Sequence, residues 1–259
     1  MKPLALSLTL FLAATLRAND ASHPAAGETV VLLHGLGLRS WAMARLARAL
    51  RADGYRVINL TYPSRTMPLE ELADTWLPAQ LRVAGLGADA RVDFVTHSMG
   101  GILVRFYRRD HPADHPGRVV MLAPPNQGSE VVDHLNGFAP FRWFTGLNGR
   151  RLGTDAASAP HLLGPWPRGA GELGIIAGNR SLNPLFSAWL GGPNDGKVSV
   201  ARTRLEGMTD FIVLPHSHTW LQWCDDTAAQ VQSFLLSGKF THVTPPVTIS
   251  IGPMHSPRG

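Results

Sequence analysis

The chain has 259 residues, 44% of them apolar and 17% charged, with a net charge of +5 at pH 7. That length suits one α/β domain with a sizeable core, and the apolar share excludes a disordered chain. The basic residues are scattered arginines, paired only at Arg108-Arg109 and Arg150-Arg151, so no basic run interleaved with aromatics points to nucleic acid. The single cysteine, Cys224, allows no internal disulfide and no cysteine-rich metal site.

Residues 1–21 hold Lys2, an apolar run from Pro3 to Leu16, and then Arg17-Ala18-Asn19-Asp20-Ala21. This has the shape of a signal peptide, too short for a comfortable membrane span, with cleavage expected near Ala18 or Ala21. Export to the periplasm or medium is the expectation; an uncleaved anchor and a cytoplasmic chain stay open. The main domain is placed at 22–239, its first residues to 28 being a linker. Thr29–Leu33 is a continuous apolar, β-rich run that suits a strand buried on both faces, and it ends in His34-Gly35-Leu36-Gly37. A helix is expected from Ser40 to Asp53, capped by Ser40, with Trp41, Leu46, Ala49 and Leu50 facing inward and Gly54 as its stop. Tyr55–Leu60 is the next strand, and Pro68-Leu69-Glu70-Glu71 opens a helix. Strand 91–96 follows, then a tight turn, a helix to Asp110 ended by His111-Pro112, and strand Arg118–Leu122. This alternation predicts an α/β fold with a mostly parallel sheet of about six strands and helices on both faces.

The pattern breaks at 126–170, a stretch with Phe138, Phe141, Trp143, Phe144, many glycines and Pro165-Trp166-Pro167. Its length and irregularity read as a functional insert, a lid or pocket wall over an apolar cleft. Alternation resumes at Leu173–Gly178 and passes the loop Gly192-Pro193-Asn194-Asp195-Gly196-Lys197. A last strand, Asp210–Leu214, leads to His216-Ser217-His218 and a closing helix from Asp225 to Leu236. Residues 240–259 are expected to be a mobile tail.

The chemistry centres on Thr96-His97-Ser98-Met99-Gly100-Gly101, which stands between the strand and the helix and has the layout of a nucleophile elbow. Thr96 takes the place of the first glycine of G-x-S-x-G. A serine needs a base, and the base needs an acid to orient it. The order serine, acid, histidine is supplied by Ser98, Asp195 and His218, with His216 as the rival base. Developing negative charge on the substrate oxygen needs fixed N–H donors: Met99 after the nucleophile, and Leu36 in the loop after the first strand. His34 is then a residue that shapes that loop.

Three segments together, Val31-Leu32-Leu33-His34-Gly35-Leu36-Gly37, the elbow, and Ala123-Pro124-Pro125-Asn126-Gln127-Gly128-Ser129, resemble the bacterial lipase/esterase branch of the α/β-hydrolase superfamily. Asp195-Gly196-Lys197-Val198 and His216-Ser217-His218 fall where that branch carries its acid and base. The resemblance spans 29–237 and implies ester hydrolysis, with triacylglycerol-lipase-like members among the relatives. The expected substrates are small-molecule or lipid esters, with transient contact at a lipid interface allowed, no cofactor and no metal. Acyl transfer to an alcohol, amide cleavage and a non-catalytic binding role stay open, and the sequence does not set the oligomeric state.

Other signals fail on context. Gly191 to Lys197 nearly matches a phosphate-binding loop but ends in Val198 where a hydroxyl is needed. Gly35-Leu36-Gly37 lacks the third glycine of a dinucleotide loop. Pro112 keeps His111 and His115 off one helical face. The pair His216/His218 is expected to have no carboxylate or cysteine cluster joining it, and Cys224 to be a packed or incidental thiol rather than a nucleophile.

Overall fold

The computed structural model describes residues 27–242. Six strands form one sheet: β1 (Thr29–Leu33), β2 (Arg56–Leu60), β3 (Val92–His97), β4 (Val119–Leu122), β5 (Leu173–Gly178) and β6 (Asp210–Leu214). Their order is β2-β1-β3-β4-β5-β6, and every pairing is parallel. The α/β fold with about six strands is therefore what the chain adopts. The chain steps outward from β1 to β2, then returns to lay β3 on the other side of β1. Loops leaving β1 and β3 diverge at that reversal, which is where parallel sheets leave a crevice at their carboxyl ends.

Strand side chains alternate between two cores. Val30 and Leu32 pack with Met43, with Leu46 and Leu50 of α1 (Ala44–Ala52) and with Val231, Phe234 and Leu235 of α9 (Asp225–Ser237). Val31 and Leu33 face the opposite way, onto a core that includes Leu69, Leu72, Leu77, Ile102, Leu103 and Phe106. The first three come from Leu69–Glu71, Leu72–Trp76 and Leu77–Val83, which run end to end as one rod, α2, with a π turn in its middle. Pro78 has no N–H to give the turn before it, which fits the shift in hydrogen-bond register there. The other three belong to α3 (Met99–Asp110).

Several expectations change. Ser40 does not cap α1: it opens a 3₁₀ turn, Ser40–Met43, whose N-cap is Arg39, and its hydroxyl instead accepts from Thr61 Oγ1 at 2.9 Å. Trp41 faces solvent, 58% exposed, beside Trp223, because the tighter turn rotates it off the buried stripe. The 126–170 stretch is not irregular throughout. It carries α4 (Glu130–Leu135), α5 (Ala139–Gly149) and α6 (Ala159–Leu162), all short enough to show no clear period in sequence. Two further short helices, α7 (Pro184–Leu190) and α8 (Val200–Thr203), flank the Asp195 loop. At the start of the expected mobile tail, Phe240 is buried against Phe234, while Thr241 and His242 are exposed and His242 bonds Asp210. The remainder of that tail, 243–259, and the signal-like segment 1–21 lie outside the described residues.

Candidate active site

The turn from β3 into α3 holds Ser98 at φ 53°, ψ −123°, a conformation that costs a non-glycine residue about 1–3 kcal/mol. It is maintained because the backbones around it meet closely. A Cβ on Gly100 would lie 2.7 Å from Leu33 O and 2.9 Å from His34 O, so only glycine fits as α3 passes the end of β1. A Cβ on Gly35 would come 3.3 Å from Ser98 Cβ, which shows how tightly the loop after β1 presses on the elbow. Thr96 pairs with Leu33 and Met121 inside the sheet, fully buried, and its hydroxyl finds no partner. The sheet interior thus accepts a β-branched residue where the elbow pattern has glycine. Thr96→Val keeps the shape and removes the unsatisfied hydroxyl, so it is expected to stabilise by about 1 kcal/mol and raise Tm by about 2–4 °C in a thermal melt.

Two loops complete the arrangement. Asn194 to Ser199 forms a tight reversal in which Asn194 Oδ1 accepts from Gly196 N at 3.0 Å. Within it, Asp195 Oδ1 accepts from Lys197 N (2.9 Å) and Val198 N (2.8 Å), leaving Oδ2 to face His218. The loop after β6 presents His218, whose N–H bonds Asp195 O at 3.0 Å. At Gly178, where β5 ends between these loops, a Cβ would meet His216 O at 2.4 Å and Asp195 Cβ at 2.9 Å, so no side chain fits. His218 Nδ1 lies 2.8 Å from Asp195 Oδ2, and His218 Nε2 lies 3.0 Å from Ser98 Oγ. A carboxylate cannot donate, so Nδ1–H donates to Asp195 and Nε2 is left to accept the Ser98 proton. Asp195 and His218 are buried, while Ser98 is half-buried.

Ser98 and His218 line a cleft of about 380 Å³. Leu36 and Phe186 form part of its wall, and the 126–170 stretch supplies Val131, Leu135, Phe141 and Phe144. The pocket-wall part of that expectation is met by these residues, but Phe138 and Trp143 point to solvent and Trp166 packs in the core away from the cleft, its Nε1 donating to Gly171 O. The N–H groups of Leu36 and Met99 find no acceptor among the described residues.

Of the site residues read from sequence, the structure brings together Ser98, Asp195 and His218, with Leu36 on the cleft wall and Met99 opening α3 behind the serine. It does not bring His216, whose Nε2 sits 2.7 Å from both carboxylate oxygens of Asp226. The expectation that no carboxylate or cysteine cluster joins the histidine pair is also corrected: ligand-type atoms of His216, Cys224 and Asp226 lie within 4.8 Å of one another. They meet because α9 returns its first turn to the loop after β6.

Sequence reasoning missed His97. Its Nε2–H donates to His218 O at 3.0 Å, tying the histidine loop to the strand that carries Ser98. The signal lay in its place one residue before the serine, where a fully buried ring must have a task. His34 matches its loop-shaping role, since Nδ1–H donates to Gly35 O (2.8 Å) and Nε2 accepts from Tyr62 N (3.2 Å). Burial lowers the pKa of both rings, His97 well below the ordinary histidine value, so both are held neutral. Their stabilising effect is present above about pH 6.5; as pH falls below it the unfolded chain takes up protons that the folded chain refuses. Urea unfolding at pH 7 and pH 5 is therefore expected to show His97→Asn losing about 1–2 kcal/mol less than wild type on acidification. An equal loss would contradict a neutral His97.

The model of the alpha/beta hydrolase family matches residues 30–255. The chain belongs to that family. A probable esterase of rice (Oryza sativa) is 31% identical to this α/β hydrolase over 103 residues, which is 38% of this chain and 39% of the rice protein. Among solved structures, the mature lipase of Bacillus licheniformis superposes with a TM-score of 0.58 at 21% identity, covering 76% of this chain and 88% of the lipase. A metagenomic carboxyl esterase gives 0.58 at 20% identity over 80% of this chain and 69% of its own. A phospholipase of Legionella pneumophila gives 0.57 at 16% over 82% and 60%. At these identities the structures show a shared fold. This α/β hydrolase also spans well under half the length of the rice relative.

Proposed function

We propose that this protein hydrolyses carboxylic esters with apolar acyl groups through an acyl-enzyme on Ser98. The observation that carries the reading is the continuous relay Asp195–His218–Ser98, mounted on a strained elbow at the floor of an apolar cleft. The names of the rice relative and of the structural neighbours support ester cleavage.

In this reading Ser98 Oγ attacks the ester carbonyl while His218 Nε2 takes its proton. Asp195 holds the imidazole in the tautomer that leaves Nε2 free, and stabilises the ring once it is charged. The Leu36 and Met99 N–H groups receive the oxyanion; such a preset donor is worth about 3–4 kcal/mol in the transition state. His218 then protonates the leaving alcohol, and water activated by the same nitrogen releases the acid. No step calls on a cofactor. The signal-like segment 1–21 supports action outside the cytoplasm.

The test is a chain-length series of p-nitrophenyl esters given to wild type and Ser98→Ala. Wild type is expected to turn them over, with Ser98→Ala slower by about 10³- to 10⁶-fold. A variant with full activity, or a wild type that hydrolyses none of the series, would overturn the reading.

A further inference from the structure

The cleft is lined mainly by apolar side chains, by the relay and by a few neutral polar groups such as Ser129, Thr145 and Gln222, and it carries one cationic side chain that the mechanism does not use. Lys197 contributes to its wall, and no aspartate or glutamate does. Among the described residues no carboxylate lies within ion-pair distance of the Lys197 ammonium, and the ammonium donates no hydrogen bond to protein. Lys197 is exposed at the cleft wall, so its ammonium keeps part of its hydration while facing the site without a counter-charge. Neighbouring protein depresses the ammonium pKa by desolvation, against the opposing pull of Asp195.

The lysine's backbone is fixed where it stands. Its N–H donates to Asp195 Oδ1 at 2.9 Å, and its carbonyl accepts from Ser129 Oγ at 2.6 Å. Both ends of the residue are pinned, one of them by the carboxylate that orients His218. The stem therefore leaves the backbone at a set point two residues after Asp195. Lys197 retains accessible surface, and the surface it gives to the site is cleft wall. A cation without a partner, on the wall of a cleft that holds no carboxylate, is a receptor for an anion that arrives with the substrate.

Resting on the ester-hydrolase reading above, we propose that Lys197 selects esters bearing an anionic oxygen group, a carboxylate or phosphate, a few bonds from the scissile linkage. Apolar walls take the hydrocarbon of such a substrate, and the ammonium takes its charge. The anion can belong to the acyl part or to the alcohol part, and the two call for different probes.

The acyl-side pair is the p-nitrophenyl monoester of glutaric acid against its methyl-capped counterpart, which has the same chain without the charge. The alcohol-side pair is monobutyrylglycerol 3-phosphate against monobutyrylglycerol. Wild type is expected to favour the charged member of at least one pair, and which pair shows the preference identifies the side that carries the anion. In Lys197→Met the ratio of kcat/KM, charged over uncharged, is expected to fall about ten- to a hundredfold, mainly through KM, as loss of one charged hydrogen bond implies. Lys197→Arg restores most of the ratio, and Lys197→Glu inverts it. A lysine that only shapes the relay would instead slow both members of each pair alike through kcat.

Binding separates this proposal from the chemistry. In the Ser98→Ala background, calorimetry with the same pairs reads the preference without turnover, and adding Lys197→Met is expected to erase it. Should wild type hydrolyse no ester, the reaction assignment falls while the calorimetric preference still decides the lysine's role. No preference for the charged member in either pair, or equal losses on both members in Lys197→Met, overturns the proposal.

Discussion

Replacing His218 by alanine is expected to lower kcat on a p-nitrophenyl ester by about four to six orders of magnitude, whereas His216→Ala lowers it by less than about tenfold. The two residues are two apart and both histidines, but their surroundings assign them opposite tasks. His218 is buried, with one nitrogen 2.8 Å from Asp195 and the other 3.0 Å from Ser98. On the proposed mechanism, removing it leaves the serine with no base and only the oxyanion donors and binding to speed the reaction. His216 spends its Nε2 on the exposed Asp226, a contact worth about 0–1 kcal/mol at the surface. Its loss affects packing at the start of α9 and leaves the relay intact. Comparable losses from the two variants would contradict the geometry, as would a large loss at His216 alone.

The second large effect lies away from the chemistry. Arg105→Met is expected to cost about 3–5 kcal/mol and to lower Tm by about 6–20 °C. Arg105 projects from α3 and is 2% exposed, yet no carboxylate meets it. Its guanidinium donates instead mainly to backbone oxygens: Nη1 to Asn126 O (2.8 Å) and more weakly to Asn126 Oδ1 (3.3 Å), and Nη2 to Pro160 O (2.9 Å) and Gly164 O (2.6 Å). Burial lowers its pKa to about 10, which still leaves it charged at neutral pH. These bonds fasten both ends of the 126–164 segment, which carries the apolar wall of the cleft, to the helix that starts at Ser98. Methionine fills the volume but strands three carbonyls without donors. The wall should loosen as well as the fold, so KM for longer acyl chains is expected to rise more than kcat falls. Unchanged Tm, or unchanged hydrogen exchange across 126–164, would show that the arginine is not the fastening.

What could be read from the chain follows from how local each signal is. β1 was legible because five consecutive apolar residues can be buried on both faces only at a sheet centre. The elbow was legible because a strand, a tight turn and a helix lie within a few residues. The order of the acid and base was legible, but their meeting with Ser98 was not, since it depends on two loops separated from it by the whole second half of the sheet. Trp41 was misplaced because a 3₁₀ first turn changes which residues share a face. The helices α4 to α6 were hidden because none is long enough to show a period and α5 is broken at Gly146. Arg105 carried no sequence signal of its role, and His97 only its place beside Ser98. Their partners are backbone oxygens, and any residue supplies those. Cys224 and Asp226 came to His216 only through the return of α9.

Ester hydrolysis by this chain turns on Ser98 as the nucleophile, and the most direct test is to catch the covalent bond. Intact-protein mass spectrometry after reaction with a fluorophosphonate, followed by peptide mapping, is expected to find one adduct, on Ser98. Labelling should be lost in Ser98→Ala and slowed strongly in His218→Ala. A folded protein that takes no label, or takes it at another residue, would contradict the account.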